Sequence, residues 1–155
     1  MEETPMFGLF KKKPAPPAPK APASPGGPIV QGAANLLELA LMIGPSVNDY
    51  QVKLHSPFVR GYFVGFFDAA LQSAGVQVQS DADFIALMII GHLQLLAKDV
   101  PSPAAYTAES MSLQGDPVFD TAQMAGGQEY VVFYTGKVLM PVRLSGYFHD
   151  APGPA

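Results

Sequence analysis

The sequence predicts a mainly α-helical protein, a compact bundle of four to six helices around a central helical hairpin at about residues 57–97. Apolar residues recur at spacings of three and four within that hairpin. Start and stop signals for helices stand at both ends of its two helices. Hydrophobic residues make up 48% of the 155 residues and charged residues only 14%, against roughly 25% in a typical soluble domain. One sizeable core under a sparsely charged surface is therefore expected.

Residues 1–28 are predicted to be a disordered tail. Residues 14–28 form an Ala/Pro-rich run without apolar periodicity, which is typical of an extended polyproline linker. Acidic residues open the tail and lysines follow its apolar residues, the reverse of the order in a signal peptide. Met6 is an alternative start of the chain. The short motif before the linker consists of Phe7, Leu9, Phe10, Lys11, Lys12 and Lys13.

Two interpretations of this N-terminal motif stay open. In the first, it is a tethered docking element for a protein partner or makes weak peripheral contact with a membrane. Its phenylalanines could insert, and each lysine contributes about 1 kcal/mol near an anionic surface. In the second, the motif only solubilises the start of a disordered tail.

Residues 29–150 are predicted to form one globular domain, and residues 151–155 a frayed C-terminus. The first helix of the domain is predicted over 36–43, because Asn35 is a plausible capping residue and the Gly-Pro pair after residue 43 would end the helix. The segment that follows is ambiguous between a loop and one further helical turn.

The first hairpin helix has clear limits in the sequence. Ser56 can accept hydrogen bonds from the first turn, Pro57 suits the first helical position, and Gly75 suits the left-handed residue after the end. Its wide apolar face comprises Val59, Phe63, Phe66, Phe67, Ala70, Leu71 and Ala74. A second stripe comprises Gly61, Gly65, Asp68 and Gln72. The glycines of this stripe predict close packing against a neighbouring helix.

The second hairpin helix begins with a capping signal formed by Ser80 and Asp83. Residues 84–97 are apolar nearly all round, which predicts a central helix surrounded by others. This apolar run of about 14 residues is shorter than the roughly 20 that span a bilayer, so no transmembrane segment is expected.

The last third of the domain admits two structures. Asp116 and Pro117 repeat the cap-then-proline signal, and Gly136 stands where a helix of ordinary length would end, so one helix over 117–134 is predicted. The alternative is an α+β fold with a C-terminal β-hairpin at about 129–143.

Two glycines weaken the helical alternative unless they are packed. Gly126 and Gly127 would each cost roughly 1 kcal/mol relative to alanine in a helix interior, unless a second helix approaches closely there. Short helices at 104–111 and 141–148 complete the predicted bundle.

The candidate polar site of the hairpin is a buried contact of His92. It lies within an otherwise apolar helix and is predicted to face Asp68 or Gln72 across the hairpin. A buried His–Asp pair can transfer protons, but it more often fixes helix register. No catalytic residue, cofactor or metal site is predicted, because the histidines are widely separated, cysteine is absent and no nucleotide-binding glycine motif occurs.

The charge distribution argues against nucleic acid as a partner. Residues 1–28 hold four lysines and two glutamates, whereas the rest of the chain holds five basic and eleven acidic residues. An acidic body with few arginines is poorly suited to phosphate contacts, which dominate affinity for nucleic acids.

We therefore expect a non-catalytic protein–protein interaction or accessory protein, such as a cytoplasmic bacterial adaptor subunit, that holds a protein partner or self-associates. Two alternatives stay open. One is a small enzyme or ligand-binding protein with an apolar pocket between the hairpin helices. The other is a membrane-peripheral protein that uses its N-terminal motif.

Overall fold

Seven α-helices make up most of the described chain. The structure is a computed structural model, and it describes residues 25–42, 44–137 and 142–149. The helices are α1 (Gly26–Leu41), α2 (Tyr50–Leu54), α3 (Pro57–Ser73), α4 (Asp81–Leu96), α5 (Pro103–Met111), α6 (Pro117–Tyr134) and α7 (Val142–His149), with one 3₁₀ turn at Gly44–Ser46. The mainly helical class is confirmed, with seven helices instead of four to six in this part of the chain. The short α2 is the helical turn that the sequence left ambiguous.

Most helix starts follow the predicted local chemistry. The Ser56 hydroxyl accepts a hydrogen bond from the first turn of α3, and Ser80 does the same for α4. The Asp116 carboxylate accepts two backbone N–H groups at the start of α6. Gly75 and Gly136 follow α3 and α6 with φ of +72° and +79°, a backbone conformation that glycine adopts without strain.

The prediction that the first helix begins after Asn35 is wrong. The helix begins at Gly26, within the segment predicted to be tail, because Gly26 packs against the α4 side chain of Leu87. Pro28 is tolerated there since an N–H in the first helical turn has no intrahelical acceptor. Asn35 lies mid-helix, where its side-chain oxygen accepts a 3.1 Å hydrogen bond from Gln94. Residue 43 and the predicted tail over 1–24 lie outside the described residues.

The central helix is α3. Its aromatic side chains Tyr62, Phe63, Phe66 and Phe67 are completely buried. The most extensive pairing in the described molecule joins α3 to α6, which returns from more than forty residues further along the chain. The core thus depends on a contact distant in sequence, and the adjacent helices of the predicted hairpin are not its main pair.

The prediction that α4 is surrounded by other helices is wrong. Its backbone packs on α1 and α5 and meets α3 mainly where Gly91 lies against the ring of Phe67. Ile85 is 37% exposed and Leu93 55% exposed, because the neighbouring helices cover only one side of α4. None of the helices in the described ranges combines the length and apolar character needed to cross a bilayer.

The C-terminal β-hairpin is not confirmed. Residues 129–134, its predicted first strand, are the last turns of the single helix α6. Most of its predicted second strand, residues 138–141, lies outside the described residues. The short final helix is present as α7, with Leu144 and Phe148 buried.

Candidate functional site

Glycines bring the backbones of α3 and α6 into direct contact. A Cβ atom added at Gly61 would overlap the carbonyl oxygen of Phe119, and one at Gly65 would overlap that of Gln123. From the other side, a Cβ on Gly126 would overlap the carbonyl oxygen of Tyr62. The predicted close packing of Gly61 and Gly65 is confirmed, and it accounts for Gly126 in the middle of α6, whereas Gly127 would accommodate a Cβ at ordinary contact distance.

A cleft of about 1010 Å³ runs along this helix pair and reaches α7, and we name it the α3–α6 cleft. It does not lie between the two hairpin helices, where the alternative of a small enzyme or ligand-binding protein placed an apolar pocket. The residues that line it are Gly65, Asp68, Ala69, Gln72, Asp120, Gln123, Met124, Gly127, Gln128, Glu129, Val131, Val132 and Arg143.

The α3–α6 cleft combines an apolar surface with acidic groups. Met124 is 67% exposed and Val131 45% exposed, so both offer apolar surface to a ligand. Among the lining side chains, three carboxylates, those of Asp68, Asp120 and Glu129, accompany one guanidinium. The arrangement suits a ligand that is apolar and positively charged.

Asp68 lies within the cleft wall and does not meet His92 in any hydrogen bond of the described chain. Its Oδ2 accepts a 2.9 Å hydrogen bond from Nε2 of Gln72, one turn later on α3. Burial raises the pKa of Asp68, and this hydrogen bond opposes the rise. Asp68 is therefore a partly dehydrated carboxylate that a cation in the cleft would stabilise.

His92 belongs to a different part of the molecule and lines no part of the cleft. Its Nδ1 lies 2.7 Å from Oγ1 of Thr107, and that hydroxyl donates a 2.9 Å hydrogen bond to the carbonyl of Pro103. Because the hydroxyl proton is used there, Nδ1 carries the proton that His92 donates to Thr107. The predicted contact with Asp68 or Gln72 is thus replaced by a contact between α4 and α5.

The surroundings of His92 keep the imidazole neutral. The side chain is completely buried, with the ring centroids of Phe67 and Tyr106 at 5.4 Å and 5.1 Å. Its Nε2 has no hydrogen-bond partner within the described chain. Burial, with a smaller effect of the nearby Arg60, lowers the pKa of His92 to about 3.

Glu129 is an acidic residue of the cleft that the sequence did not single out. It is 7% exposed, and its carboxylate accepts hydrogen bonds from the Tyr62 hydroxyl and from the backbone N–H of Arg143, at 3.0 and 3.2 Å to its two oxygens. Glu129 thereby holds the first turn of α7. Burial and this hydrogen bond raise the pKa of Tyr62 above its usual range. Only the tertiary pairing of α3, α6 and α7 reveals this cluster.

Arg60 is the second polar residue that sequence reasoning missed. Its guanidinium donates to the carbonyls of His55 and Tyr106 and to the Ser110 hydroxyl, at 2.8 to 3.0 Å. It also pairs with Glu109 at 3.1 Å and lies 4.2 Å over the Tyr106 ring. An arginine inside a strongly apolar helix was the available signal. Its contacts join α3 to α5 and to the end of α2.

The remaining predicted residues and the comparisons add no further site. Phe7, Leu9, Phe10 and the three lysines that follow lie outside the described residues. Within the ranges that the structure covers, no three side chains of His, Cys, Asp or Glu are grouped as metal ligands would be. No protein-family model, curated protein or solved structure matches this chain.

Proposed function

We propose that this is a non-catalytic interaction protein whose α3–α6 cleft binds an apolar, lysine-containing segment of a partner protein. The observation that carries the proposal is the exposure of Met124 and Val131 in a cleft with the carboxylates of Asp68 and Asp120. We further propose that the protein acts in the bacterial cytoplasm as an adaptor subunit.

The dimensions of the cleft support a peptide ligand. Small-molecule pockets commonly enclose about 300–1,000 Å³, so this open cleft of about 1010 Å³ stands at the upper end of that range. Its walls are two parallel runs of helix surface with small residues between them, including Ala69 and Gly127. Grooves between helices bind partner segments through a few apolar anchors, which Met124 and Val131 would contact here.

The charges of the cleft support a basic ligand. Asp68 is partly buried and has therefore lost part of its hydration, which raises the pKa of its carboxyl group. A lysine ammonium at that position would replace the lost water contacts of the carboxylate. Exposed charge pairs of this kind are screened by salt, so affinity should fall as ionic strength rises.

The engagement of the buried polar groups supports binding over acid–base chemistry. Glu129 is held by Tyr62 and by the backbone of α7, and the imidazole of His92 lies outside the cleft. These groups hold the helices that form the cleft walls.

The proposal predicts that Met124→Lys weakens binding of a basic apolar peptide. The probe is a fluorescein-labelled octapeptide, LKFLKKFA, titrated by fluorescence anisotropy against the full chain carrying K11E, K12E and K13E, so that the lysines of its own N-terminal motif do not compete for the cleft. Losing an apolar contact and gaining a like charge should lower affinity at least about tenfold, equivalent to about 1.4 kcal/mol. The matched control is Leu93→Lys, which makes the same change at an exposed apolar position of α4.

Two results would contradict the proposed function. One is equal affinity of the probe with and without Met124→Lys in this charge-reversed background. The other is equal affinity for the acidic peptide LEFLEEFA, because the carboxylates of the cleft should repel it.

A further inference from the structure

Resting on this proposed function, we propose that residues 6–13 of the chain itself occupy the α3–α6 cleft in the free protein and compete with the partner. Three observations support this proposal: the chemistry of the cleft, the composition of the N-terminal motif, and the point at which the tail enters the fold.

The N-terminal motif matches the ligand chemistry that the cleft calls for. Phe7, Leu9 and Phe10 supply apolar side chains, and three consecutive lysines follow them. The cleft offers the exposed surfaces of Met124 and Val131 to the apolar residues and carboxylates to the lysines. The charges of tail and body are opposite in sign, because the tail holds more lysines than acids while the body is acidic.

The tail enters the fold beside one end of the cleft. Gly26, the first residue of α1, packs against α3, where an added Cβ would lie 3.0 Å from Cδ2 of Leu71. The next residue of α3, Gln72, lines the cleft. Gly26, where the tail joins the fold, and one end of the cleft therefore both lie at the C-terminal end of α3.

The tether is long enough to reach any part of the cleft. The residues between Lys13 and Gly26 span up to about 40 Å when extended at ~3.1 Å per residue. Along α3 the cleft extends from Gly65 to Gln72, roughly 10 Å at ~1.5 Å per residue. A tether that spans this distance makes the binding of the motif intramolecular, so even a segment of modest affinity would fill the cleft.

The test is a paramagnetic broadening measurement on the full chain. The sequence contains no cysteine, so Gly8→Cys carries a single spin label. We expect the label to broaden the amide signals of Gly127 and Val131 in the cleft. The amides of Ala104 and Ala108 in α5, which lines no part of the cleft, should stay sharp.

A charge-reversed tail provides the matched control. Adding K11E, K12E and K13E to the labelled chain should abolish the broadening, because the lysines would no longer meet the carboxylates. In the unlabelled protein the same three changes should tighten binding of the LKFLKKFA probe at least about tenfold, since the apparent affinity is reduced by the fraction of cleft already occupied. Unchanged affinity of the probe would overturn the competition.

A mixed sample separates the tethered contact from contact between copies. Spin-labelled protein is mixed with isotopically labelled protein that carries no spin label. If the cleft amides broaden in this mixture, the tail of one copy occupies the cleft of another and the intramolecular proposal is overturned. Absence of broadening in the single-chain sample overturns it as well.

The two proposals fail in different ways. If the label broadens no cleft amide while the probe still binds and Met124→Lys still weakens it, the proposed function stands and the tethered occupant is wrong. If the probe binds neither the wild-type chain nor the charge-reversed chain, the proposed function itself fails.

Discussion

His92 shows how strongly a single residue can be controlled by its surroundings. The side chain donates to Thr107 and is otherwise enclosed by aromatic rings, and Arg60 is the charged group that influences it. Protonation would add a hydrogen atom to Nε2, and this new N–H group would have no acceptor among the described residues. A buried cation without a partner is costly, so the folded protein holds this imidazole neutral.

The pH dependence of stability should carry the signature of this residue. The pKa of His92 is about 3 in the folded protein and about 6.5 in the unfolded chain. The unfolded chain therefore binds the proton first as pH falls. The stabilisation is complete above about pH 6.5 and is lost progressively towards pH 3, by a few kcal/mol in all.

Urea unfolding of the wild-type protein and of His92→Gln between pH 4 and pH 8 measures this effect. Glutamine can still donate to Thr107 but does not titrate, so the variant should have a flatter pH profile. The control is His149→Gln, which changes an exposed histidine and should leave the slope intact. An unaltered slope in His92→Gln would show that other groups cause the pH dependence.

The pairing of helices α3 and α6 depends on glycine residues at their contact, which have no side chain. At three glycines a hydrogen atom stands where a Cβ atom would overlap the backbone of the opposite helix. They are Gly61, Gly65 and Gly126. Backbone cannot move aside as the end of a flexible side chain can. The helices would have to separate, which would loosen the aromatic side chains packed around them.

Gly65→Ala should therefore destabilise the protein by about 3 kcal/mol, at the upper end of the usual cost of overpacking. The intrinsic preference of alanine for helix, about 1 kcal/mol, is too small to offset this loss. Gly32→Ala is the control, because an added Cβ on the exposed Gly32 of α1 has open space around it. We expect that change to stabilise the protein by about 0.5–1 kcal/mol. Chemical denaturation decides between the two signs, and a stabilising Gly65→Ala would contradict the backbone contact.

The limits of the helices were largely predictable from sequence, whereas their partners were not. Ser56, Ser80 and Asp116 act through atoms within a few residues, so local patterns identify them. The start of α1 was missed because glycine is a poor helix former, and the packing of Gly26 against side chains of α3 and α4 is not visible in the sequence. Helix order in space depends on contacts between distant segments, and adjacency in sequence suggested the wrong pair.

The candidate site was predictable only in part for the same reason. The glycine stripe with Asp68 and Gln72 was recognisable by its helical spacing, and it forms one wall of the cleft. The opposite wall comes from α6, and Glu129 gains its role from Tyr62 and the start of α7. A local sequence pattern cannot predict a contact between three helices that are distant in sequence.

For the molecule as a whole, α7 is held at both ends by distant residues. Glu129 accepts from its first turn, and the Lys53 ammonium donates to the carbonyls of Tyr147 and Phe148 near its last turn, at 3.2 and 3.1 Å. A cation at the C-terminal end and an anion at the N-terminal end both match the helix dipole. The Lys53 contact connects the last described helix to α2, just before α3, and the Glu129 contact connects it to α6.

Lys53→Met should loosen α7 while leaving the rest of the core intact. Losing a charged donor to two carbonyls costs about 1.5 kcal/mol, so amide exchange in residues 142–149 should accelerate roughly tenfold. Lys98→Met, at an exposed lysine, is the control and should leave that exchange unchanged. Hydrogen exchange read by NMR measures both, and equal acceleration throughout α3 and α7 would indicate global destabilisation instead.

The distance in sequence between α3 and α6 also imposes an order on synthesis. When α3 leaves the ribosome, the glycines of its stripe have no covering helix until residues 74–134 have been translated. Nascent chains with uncovered apolar surface are the ones that chaperones retain. The cleft takes its walls from residue 65 to residue 143, so it is complete only after residue 143 has been translated. A chain interrupted before α6 would have only the α3 wall of the cleft.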